Sequence, residues 1–173
     1  MNSFTDLARL RRSMRKFTEQ PVTDDQLRQL MCVALMAPTG KSLHTWQFAV
    51  VRDKEKIEAL SRCKEHGAEF VAGASAVIVV MADPAVSDVW VEDASVATTM
   101  LLLQAEDMGL GACWVQVRLR KTADGRDAEQ VVRETLGVPE SLRVLSLVPV
   151  GYKGMERKPI NQERLLWDKV SGL

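Results

Sequence analysis

The chain has 173 residues, of which 46% are hydrophobic and 27% charged, and its formal net charge at pH 7 is +0. This composition is typical of one soluble globular domain, here residues 1–173, and excludes a disordered or fibrous chain. The balanced charge argues against a nucleic-acid partner, and the apolar runs are too short to span a membrane.

The first third of the chain carries clear helix signals. Apolar spacing predicts a helix from about Ser3 to Arg12, followed by a basic segment and a break at Pro21. Thr23 with Gln26 three residues later forms a capping box, which predicts the start of a second helix.

Two apolar runs, residues 46–52 and 74–82, predict buried strands. The second run is almost wholly apolar and is therefore expected at the centre of the sheet. Residues 53–70, which lie between the two strands, are predicted to form one or two short helices with a break at Gly67.

Residues 87–108 predict the longest helix, and the acidic residues in its first turns suit the positive end of the helix dipole. Between Val96 and Leu103 this helix is apolar or small on nearly all sides, so it should be buried on more than one side. We expect its second face to meet another subunit. The alternative is a central core helix in a monomer.

The last third predicts three more elements and fixes the fold class. These are a strand over 112–117, a helix over 127–136 that stops at Gly137, and a strand over 142–150. Pro149 has no N–H group, so we expect it at a strand end or on an edge strand. The irregular order of helices and strands predicts an α+β fold, with helices around a mostly antiparallel sheet.

The cysteines predict a reducing environment. Cys32, Cys63 and Cys113 are odd in number and widely spaced, which is typical of free thiols. The sequence begins without a basic segment followed by an apolar one, so a cytoplasmic location is expected. With two histidines and no Cys/His cluster, no metal site is predicted.

Three polar segments stand at the ends of apolar elements, where ligand sites tend to lie. They are the basic cluster 11–17, the loop 38–46 and the basic turn 151–158. Arginine binds phosphate through two parallel hydrogen bonds, and serine adds a neutral donor and acceptor. Together the segments predict a site for a phosphorylated ligand, although each alone is also typical of a solvated loop.

Residues 109–111, Gly-Leu-Gly, resemble the start of a dinucleotide fingerprint. However, they follow a predicted helix and enter a predicted strand, the reverse of the order that such a fingerprint requires. We interpret them as a helix stop and a tight turn.

Four segments in chain order resemble motifs of the FMN-dependent nitroreductase family in its short form. Residues 11–17 resemble its R-x-S-x-R/K motif, and residues 37–51 its A-P-S/T-x-x-N-x-Q-P-W-x-F-x-V-V motif. Asp93, Ala97 and residues 109–114 resemble its long helix followed by G-L-G-x-x-W. Residues 148–152 resemble its late strand ending in G-Y/H.

The resemblance implies a nitroreductase-like fold and an intertwined homodimer with FMN at the subunit interface. It implies an enzyme that uses NAD(P)H to reduce nitroaromatics, quinones or a related electrophile by ping-pong hydride transfer. Two alternatives stay open: a flavin-fragmenting or dehalogenating member of the same fold, and a flavin-binding protein with little turnover.

The resemblance also implies the cofactor-binding residues, whereas the flavin itself carries the chemistry. Arg11 and Arg157 would hold the FMN phosphate, with Lys158 as a second candidate. Arg12 and Ser13 would contact the phosphate and the ribityl hydroxyls. At the ring the implied residues are Arg15 as electrostatic support and Trp114, Val115 and Gln116 under the ring, with a backbone N–H near Gln116 facing the flavin N5. The partner subunit contributes Pro38, Thr39, Gly40 and Ser42.

The loop departs from the family pattern at three positions. Ser42, His44 and Thr45 stand where the family usually has Asn, Gln and Pro. Serine lacks the paired amide donor and acceptor of asparagine. His44 can hydrogen-bond the edge of the flavin ring and can also carry a charge.

Overall fold

A computed structural model describes residues 3–172. The helices are α1 (Phe4–Leu10), α2 (Asp24–Leu35), α3 (Lys54–Leu60), α4 (Trp90–Asp107) and α5 (Ala128–Leu136). The strands are β1 (Trp46–Val51), β2 (Ala76–Ala82), β3 (Leu110–Ala112), β4 (Val115–Gln116) and β5 (Arg143–Tyr152).

Local signals set the ends of several helices. The predicted capping box at the start of α2 is confirmed, since the Thr23 side chain accepts the Gln26 N–H and the Gln26 side chain accepts the Thr23 N–H. At the other end of the chain, α5 stops at Gly137, whose φ of 68° lies in the left-handed region. Glycine adopts this conformation without the steric cost of a Cβ.

The strands form one antiparallel sheet in the order β1-β2-β5-β3, and β4 also pairs with β5. All residues of β2 are buried, so its predicted central position is confirmed. Helices and an antiparallel sheet together confirm the predicted α+β class.

The sheet is covered by helices on both faces, which explains why β2 is apolar at every position. Ile78 packs with Leu30 of α2 and Leu101 of α4 in one core cluster. Val77, on the opposite face of β2, belongs to a second cluster with Leu60 of α3. Alternate side chains of a strand point to opposite faces, so a strand covered on both sides must be apolar throughout.

The predicted strand over 112–117 is wrong in one respect, because β3 and β4 are separate. The pairing of β3 with β5 ends at Ala112, opposite Val150, and that of β4 begins at Val115, opposite Leu147. Pro149 falls opposite this gap. Its predicted place at a strand end or on an edge strand is therefore wrong, because β5 is an interior strand. The sheet tolerates the proline because its missing N–H faces the interruption between β3 and β4.

Other predicted boundaries shift by a few residues. The first helix ends at Leu10 rather than Arg12, and α4 begins at Trp90 rather than Ser87. Residues 53–70 hold one helix, α3, and the start of a 3₁₀ turn, Glu69–Gly73. Within residues 3–172 no helix combines the length and apolar character that crossing a membrane requires.

One buried carboxylate joins α5 to β5. Glu129 is only 1% exposed, and it accepts hydrogen bonds from Arg143 Nε at 2.8 Å and Arg143 Nη2 at 2.7 Å. It also accepts the Val144 N–H at 3.0 Å. The hydrogen bonds to Glu129 raise the pKa of Arg143 above its ordinary value. A buried charge is tolerated only when it is paired and hydrogen-bonded in this way.

We therefore expect Glu129→Gln to lower the free energy of unfolding by about 2–3 kcal/mol, because the amide cannot replace a charge-assisted acceptor. Glu134→Gln is the matched control, since Glu134 pairs with Arg126 on the surface and such pairs contribute about 0–1 kcal/mol. Urea unfolding of both variants tests this. Equal, small losses in the two variants would show that the Glu129 network does not stabilise the fold.

Candidate functional site

The basic segment that follows α1 lies against β3 as an extra, short strand. Ser13 forms a parallel bridge with Ala112, and the Met14 N–H donates to the Ala112 carbonyl at 2.9 Å. Farther along, the Gly154 N–H donates to the Lys16 carbonyl at 2.8 Å. The backbone of the predicted cluster is therefore fixed by the sheet and by the turn after β5.

The buried Met14 side chain packs this segment against β3. It is 2% exposed and lies over Gly111 of β3, where a Cβ would come within 2.5 Å of Met14 Cγ. The close approach requires glycine at position 111. The sequence signal is a glycine inside a strand, which often marks such an approach.

Three residues of the cluster surround the buried Cys113 thiol. Burial raises the pKa of Cys113, and the Arg15 charge, the Ser13 hydroxyl and the Arg11 charge, in that order, offset part of this rise. The structure thus brings Arg11, Ser13 and Arg15, which alternate along the segment, next to the start of the predicted ring-binding residues 114–116.

Trp114, Val115 and Gln116 are held in place by contacts of their own. Trp114 Nε1 donates to Gln116 Oε1 at 2.9 Å, and Gln116 Nε2 donates to the Arg118 carbonyl at 2.9 Å. Val115, between them, is buried and pairs with Leu147 of β5. The side chains of Trp114 and Gln116 are therefore held in fixed orientations.

The alternate residues of the cluster meet the turn after β5. Arg12 Nη1 donates to the Lys158 carbonyl. Arg12, Met14 and Arg157 line a cavity of about 520 Å³, together with Glu106 at the end of α4. Glu106 forms an ion pair with Lys153 at 2.7 Å. Two predicted phosphate-binding residues, Arg12 and Arg157, therefore share one cavity.

The predicted loop 38–44 has an unusual backbone. Lys41, Ser42 and His44 have φ angles of 53°, 55° and 49°, in the left-handed region that non-glycine residues seldom adopt. Such conformations persist only where the surroundings enforce them, and they are common at functional sites. The His44 ring also meets the Trp46 ring edge-on, at 5.4 Å between centroids.

Asp93 of α4 holds the start of this loop by a hydrogen bond. Its Oδ1 accepts the Gly40 N–H at 2.8 Å, and a Cβ at Gly40 would come within 2.7 Å of Val89 Cγ2. Asp93 is 5% exposed, and its Oδ2 has no hydrogen-bond partner within residues 3–172. Its role in the structure thus extends beyond the helix dipole, and only its place in the resembled motif hinted at this.

The structure does not bring the loop and the Arg12–Arg157 cavity together. Asp93, which holds the loop, and Glu106, which lines the cavity, are 13 residues apart on the same helix. At a rise of 1.5 Å per residue, their Cα atoms are separated by about 20 Å along α4. The predicted site residues therefore fall into two groups near opposite ends of one helix.

The donor set suits a phosphorylated ligand. Among the residues that the structure describes, Arg11, Arg12, Arg15, Arg157 and Lys158 form no ion pair with a carboxylate. Unpaired guanidinium groups beside a cavity are the chemistry that phosphate recognition uses.

Comparisons with known proteins identify the family to which the chain belongs. The model of the Nitroreductase family matches residues 8–66 and 61–152. A protein of Archaeoglobus fulgidus, provisionally named an NADH dehydrogenase/NAD(P)H nitroreductase, is 36% identical over 85% of this chain and 83% of its own length. A protein of Methanothermobacter thermautotrophicus with the same provisional name is 30% identical over 82% of this chain and 73% of its own length.

Structural similarity extends over nearly the whole chain. The structure of an FMN-dependent nitroreductase from Clostridium difficile R20291 superposes with a TM-score of 0.94 at 40% identity, covering 96% of this chain and 97% of that chain. The predicted nitroreductase-like fold is confirmed. Family model, sequence relatives and fold agree, and the chain belongs to the nitroreductase family.

Proposed function

We propose that this protein is an FMN-dependent oxidoreductase that uses NAD(P)H to reduce nitroaromatics, quinones or a related electrophile. The observation that supports this most directly is the segment 11–15, whose unpaired cations lie between a cavity and the Trp114–Gln116 strand end. When bound, FMN would supply the redox chemistry, which is hydride transfer from NAD(P)H to the acceptor in ping-pong order.

At one end of the ligand, the chain's own residues bind and orient the phosphate. We assign Arg11 and Arg157 to the phosphate, with Lys158 as a second candidate, and Arg12 and Ser13 to the phosphate and ribityl hydroxyls. Arg12 and Arg157 line the cavity, whereas Arg11 and Ser13 lie on the Cys113 side of the segment, so the phosphate would be held from both sides. Each charge-assisted bond to phosphate contributes about 1.5–3 kcal/mol.

At the other end, Arg15 stabilises the negative charge that reduction places on the ring. A fixed guanidinium needs no reorganisation when that charge develops, which favours reduction. We assign Trp114, Val115 and Gln116 to the surface under the ring, with a backbone N–H near Gln116 directed at the flavin N5. No side chain is assigned as a proton donor or acceptor.

We further propose a homodimer in which Pro38, Thr39, Gly40 and Ser42 of one chain, with His44, complete the site of the other. The separation of the loop from the cavity along α4 supports this, because a two-fold axis across the helix would bring one end of α4 near the opposite end of its partner. Exposed apolar side chains on or near α1, α2 and α4 provide a surface to bury: Phe4 is 72%, Met36 66% and Val96 40% exposed.

We also propose that the chain acts as a single domain in the cytoplasm. Cys32, Cys63 and Cys113 are all free thiols in the structure. Burial raises the pKa of Cys63 to about 11, so this thiol is not activated for oxidation. Three free thiols, of which Cys32 is exposed, suit a reducing compartment.

The proposed function is tested by an absorbance spectrum of the purified protein, followed by NAD(P)H addition without oxygen and then a nitroaromatic. We expect flavin absorbance that NAD(P)H bleaches and the nitroaromatic restores. Protein that gains no flavin absorbance after incubation with FMN would refute the proposal. Bound FMN that NAD(P)H does not bleach would instead support a flavin-binding protein with little turnover.

The role of Arg11 can be measured directly. We expect Arg11→Gln to weaken FMN binding roughly tenfold or more, because one charge-assisted bond to the phosphate is lost. Arg9→Gln is the matched control, since Arg9 lies two residues earlier on α1 and pairs with Asp6 at 3.8 Å on the surface. Titration of both variants with FMN, followed by flavin fluorescence, gives the comparison. Equal affinities would remove Arg11 from the site.

The contact between Met14 and Gly111 offers a second test. In Gly111→Ala the new methyl group would overlap Met14, so we expect segment 11–15 to shift and FMN affinity to fall roughly tenfold. Adding Met14→Ala should restore most of the affinity by making room. Gly73→Ala is the control, because a Cβ there meets no atom within 4 Å. If Gly111→Ala binds FMN like the control variant, the docked segment does not position the cofactor.

A further inference from the structure

A second group of cations follows the strand that carries Gln116 and is not among the residues assigned to FMN. It comes from two segments, residues 62–66 after α3 and residues 118–126 after β4, which together contain six Lys or Arg residues and two Asp or Glu residues. We call four of these residues, Lys64, Arg118, Arg120 and Lys121, the cationic rim.

The two segments are packed together by the fold. The Glu65 N–H donates to the Lys121 carbonyl at 2.9 Å. Below this bond, Cys63 is fully buried in one core cluster with Val115 and Val117 of the strand that ends at the rim. The rim is therefore one surface made from two stretches of chain.

The cations of the two segments divide into paired and unpaired groups. Arg62 pairs with Glu58 at 3.1 Å, and Arg126 pairs with Glu134 at 2.5 Å. No carboxylate lies within ion-pair distance of any rim residue in the part of the chain that the structure describes. Of the nearby carboxylates, Glu65 contacts His66 at 3.4 Å and Asp124 accepts a hydrogen bond from Thr122. Glu69 accepts the Gly67 N–H at 2.9 Å, and its charge also acts on Lys64, whose pKa it raises.

Two sets of side-chain contacts link the rim to the proposed flavin site. In the first, Gln116 donates to the Arg118 carbonyl at 2.9 Å, and the Arg118 guanidinium lies over the Trp90 ring, 5.6 Å from its centroid. In the second, the Arg15 guanidinium lies 5.8 Å from the centroid of the Phe70 ring, at the end of the loop that carries Lys64.

Lys64 is the rim residue nearest the interior. Burial lowers its pKa, and the Arg120 charge lowers it further, which places these two cations close together. Lys64 also contributes to the positive potential at Cys113, beside Arg15 and Arg11. The Glu69 charge offsets part of this repulsion but forms no ion pair with Lys64, and a bound anion would relieve the repulsion further.

We propose that the cationic rim recognises an anionic group, phosphate or carboxylate, on the small molecule that approaches the flavin beside Gln116. This inference rests on the proposed function and narrows its substrate class. The anion has two possible sources, the additional 2′-phosphate that distinguishes NADPH from NADH, and a carboxylate on an aromatic electron acceptor.

The kinetic test compares matched substrates. kcat/KM is measured for NADPH against NADH, and for 4-nitrobenzoate against 4-nitrobenzyl alcohol, with FMN-loaded protein at low and high salt. We expect the anionic member of at least one pair to be favoured about tenfold at low salt, with the preference reduced at high salt. The pair that shows the preference identifies the source.

Single substitutions test whether the cationic rim causes the preference for the anionic substrate. Arg120→Gln, Arg118→Gln and Lys64→Met should each reduce the preference several-fold without changing kcat/KM for the uncharged or less charged member. Arg62→Gln and Arg126→Gln are matched controls from the same two segments, because their charges are already paired, and both should keep the preference. The proposal is overturned if neither pair favours the anion, or if the rim variants behave like the controls.

A binding measurement separates this proposal from the proposed function. Calorimetry with adenosine 2′,5′-bisphosphate against adenosine 5′-monophosphate, and with 4-nitrobenzoate against the alcohol, requires no turnover. We expect the more anionic probe of one pair to bind about tenfold more tightly, and the advantage to disappear in Arg120→Gln. Protein that binds these probes in this way but fails to take up or reduce FMN would refute the oxidoreductase proposal and leave the anion site standing. Equal binding of the two probes within both pairs would contradict the proposed anion site at the cationic rim.

Discussion

The site depends on one backbone interaction, the docking of segment 11–17 onto β3 and the turn after β5. The Met14 N–H to Ala112 carbonyl bond at 2.9 Å and the Gly154 N–H to Lys16 carbonyl bond at 2.8 Å fix a chain that belongs to no helix. Extended backbone then sends alternate side chains to opposite sides. Arg11, Ser13 and Arg15 lie near Cys113, while Arg12 and Met14 line the cavity. A basic stretch that would otherwise be a solvated turn thereby becomes an ordered row of donors.

Sequence patterns predicted the parts of this fold that are decided locally. The Thr23 capping box, the Gly137 stop and the central position of β2 depend on a few neighbouring residues and on side-chain periodicity. The interruption between β3 and β4 was not predictable in this way, because it depends on Pro149, which is distant in sequence. The contact between Asp93 and Gly40 is equally non-local. For the site, resemblance supplied the residues, whereas the structure added their division between the two ends of α4.

Charge is distributed along the proposed site in an ordered way. The cavity end carries Arg12 and Arg157, the strand end carries Arg15 near Cys113, and the cationic rim continues beyond Gln116. Elsewhere in the described chain, cations such as Arg143 are neutralised by carboxylates. Although the formal net charge is +0, the cations along this path have no carboxylate partner among the described residues. Such a path attracts anions over roughly a Debye length and raises their encounter rate, apart from any bond formed on arrival.

Pro149 has a consequence for the peptide groups opposite it. Because position 149 has no N–H to offer, β5 cannot donate a hydrogen bond from that residue to the chain between β3 and β4. The sheet is thus left incomplete at Cys113 and Trp114, and Trp114 is the first of the residues assigned to the flavin ring. An amino acid with an amide proton at 149 could donate it to Cys113, which the register places opposite position 149, and extend the ladder by one residue. The proline therefore leaves backbone groups beside the proposed ring-binding residues outside the ladder of the sheet.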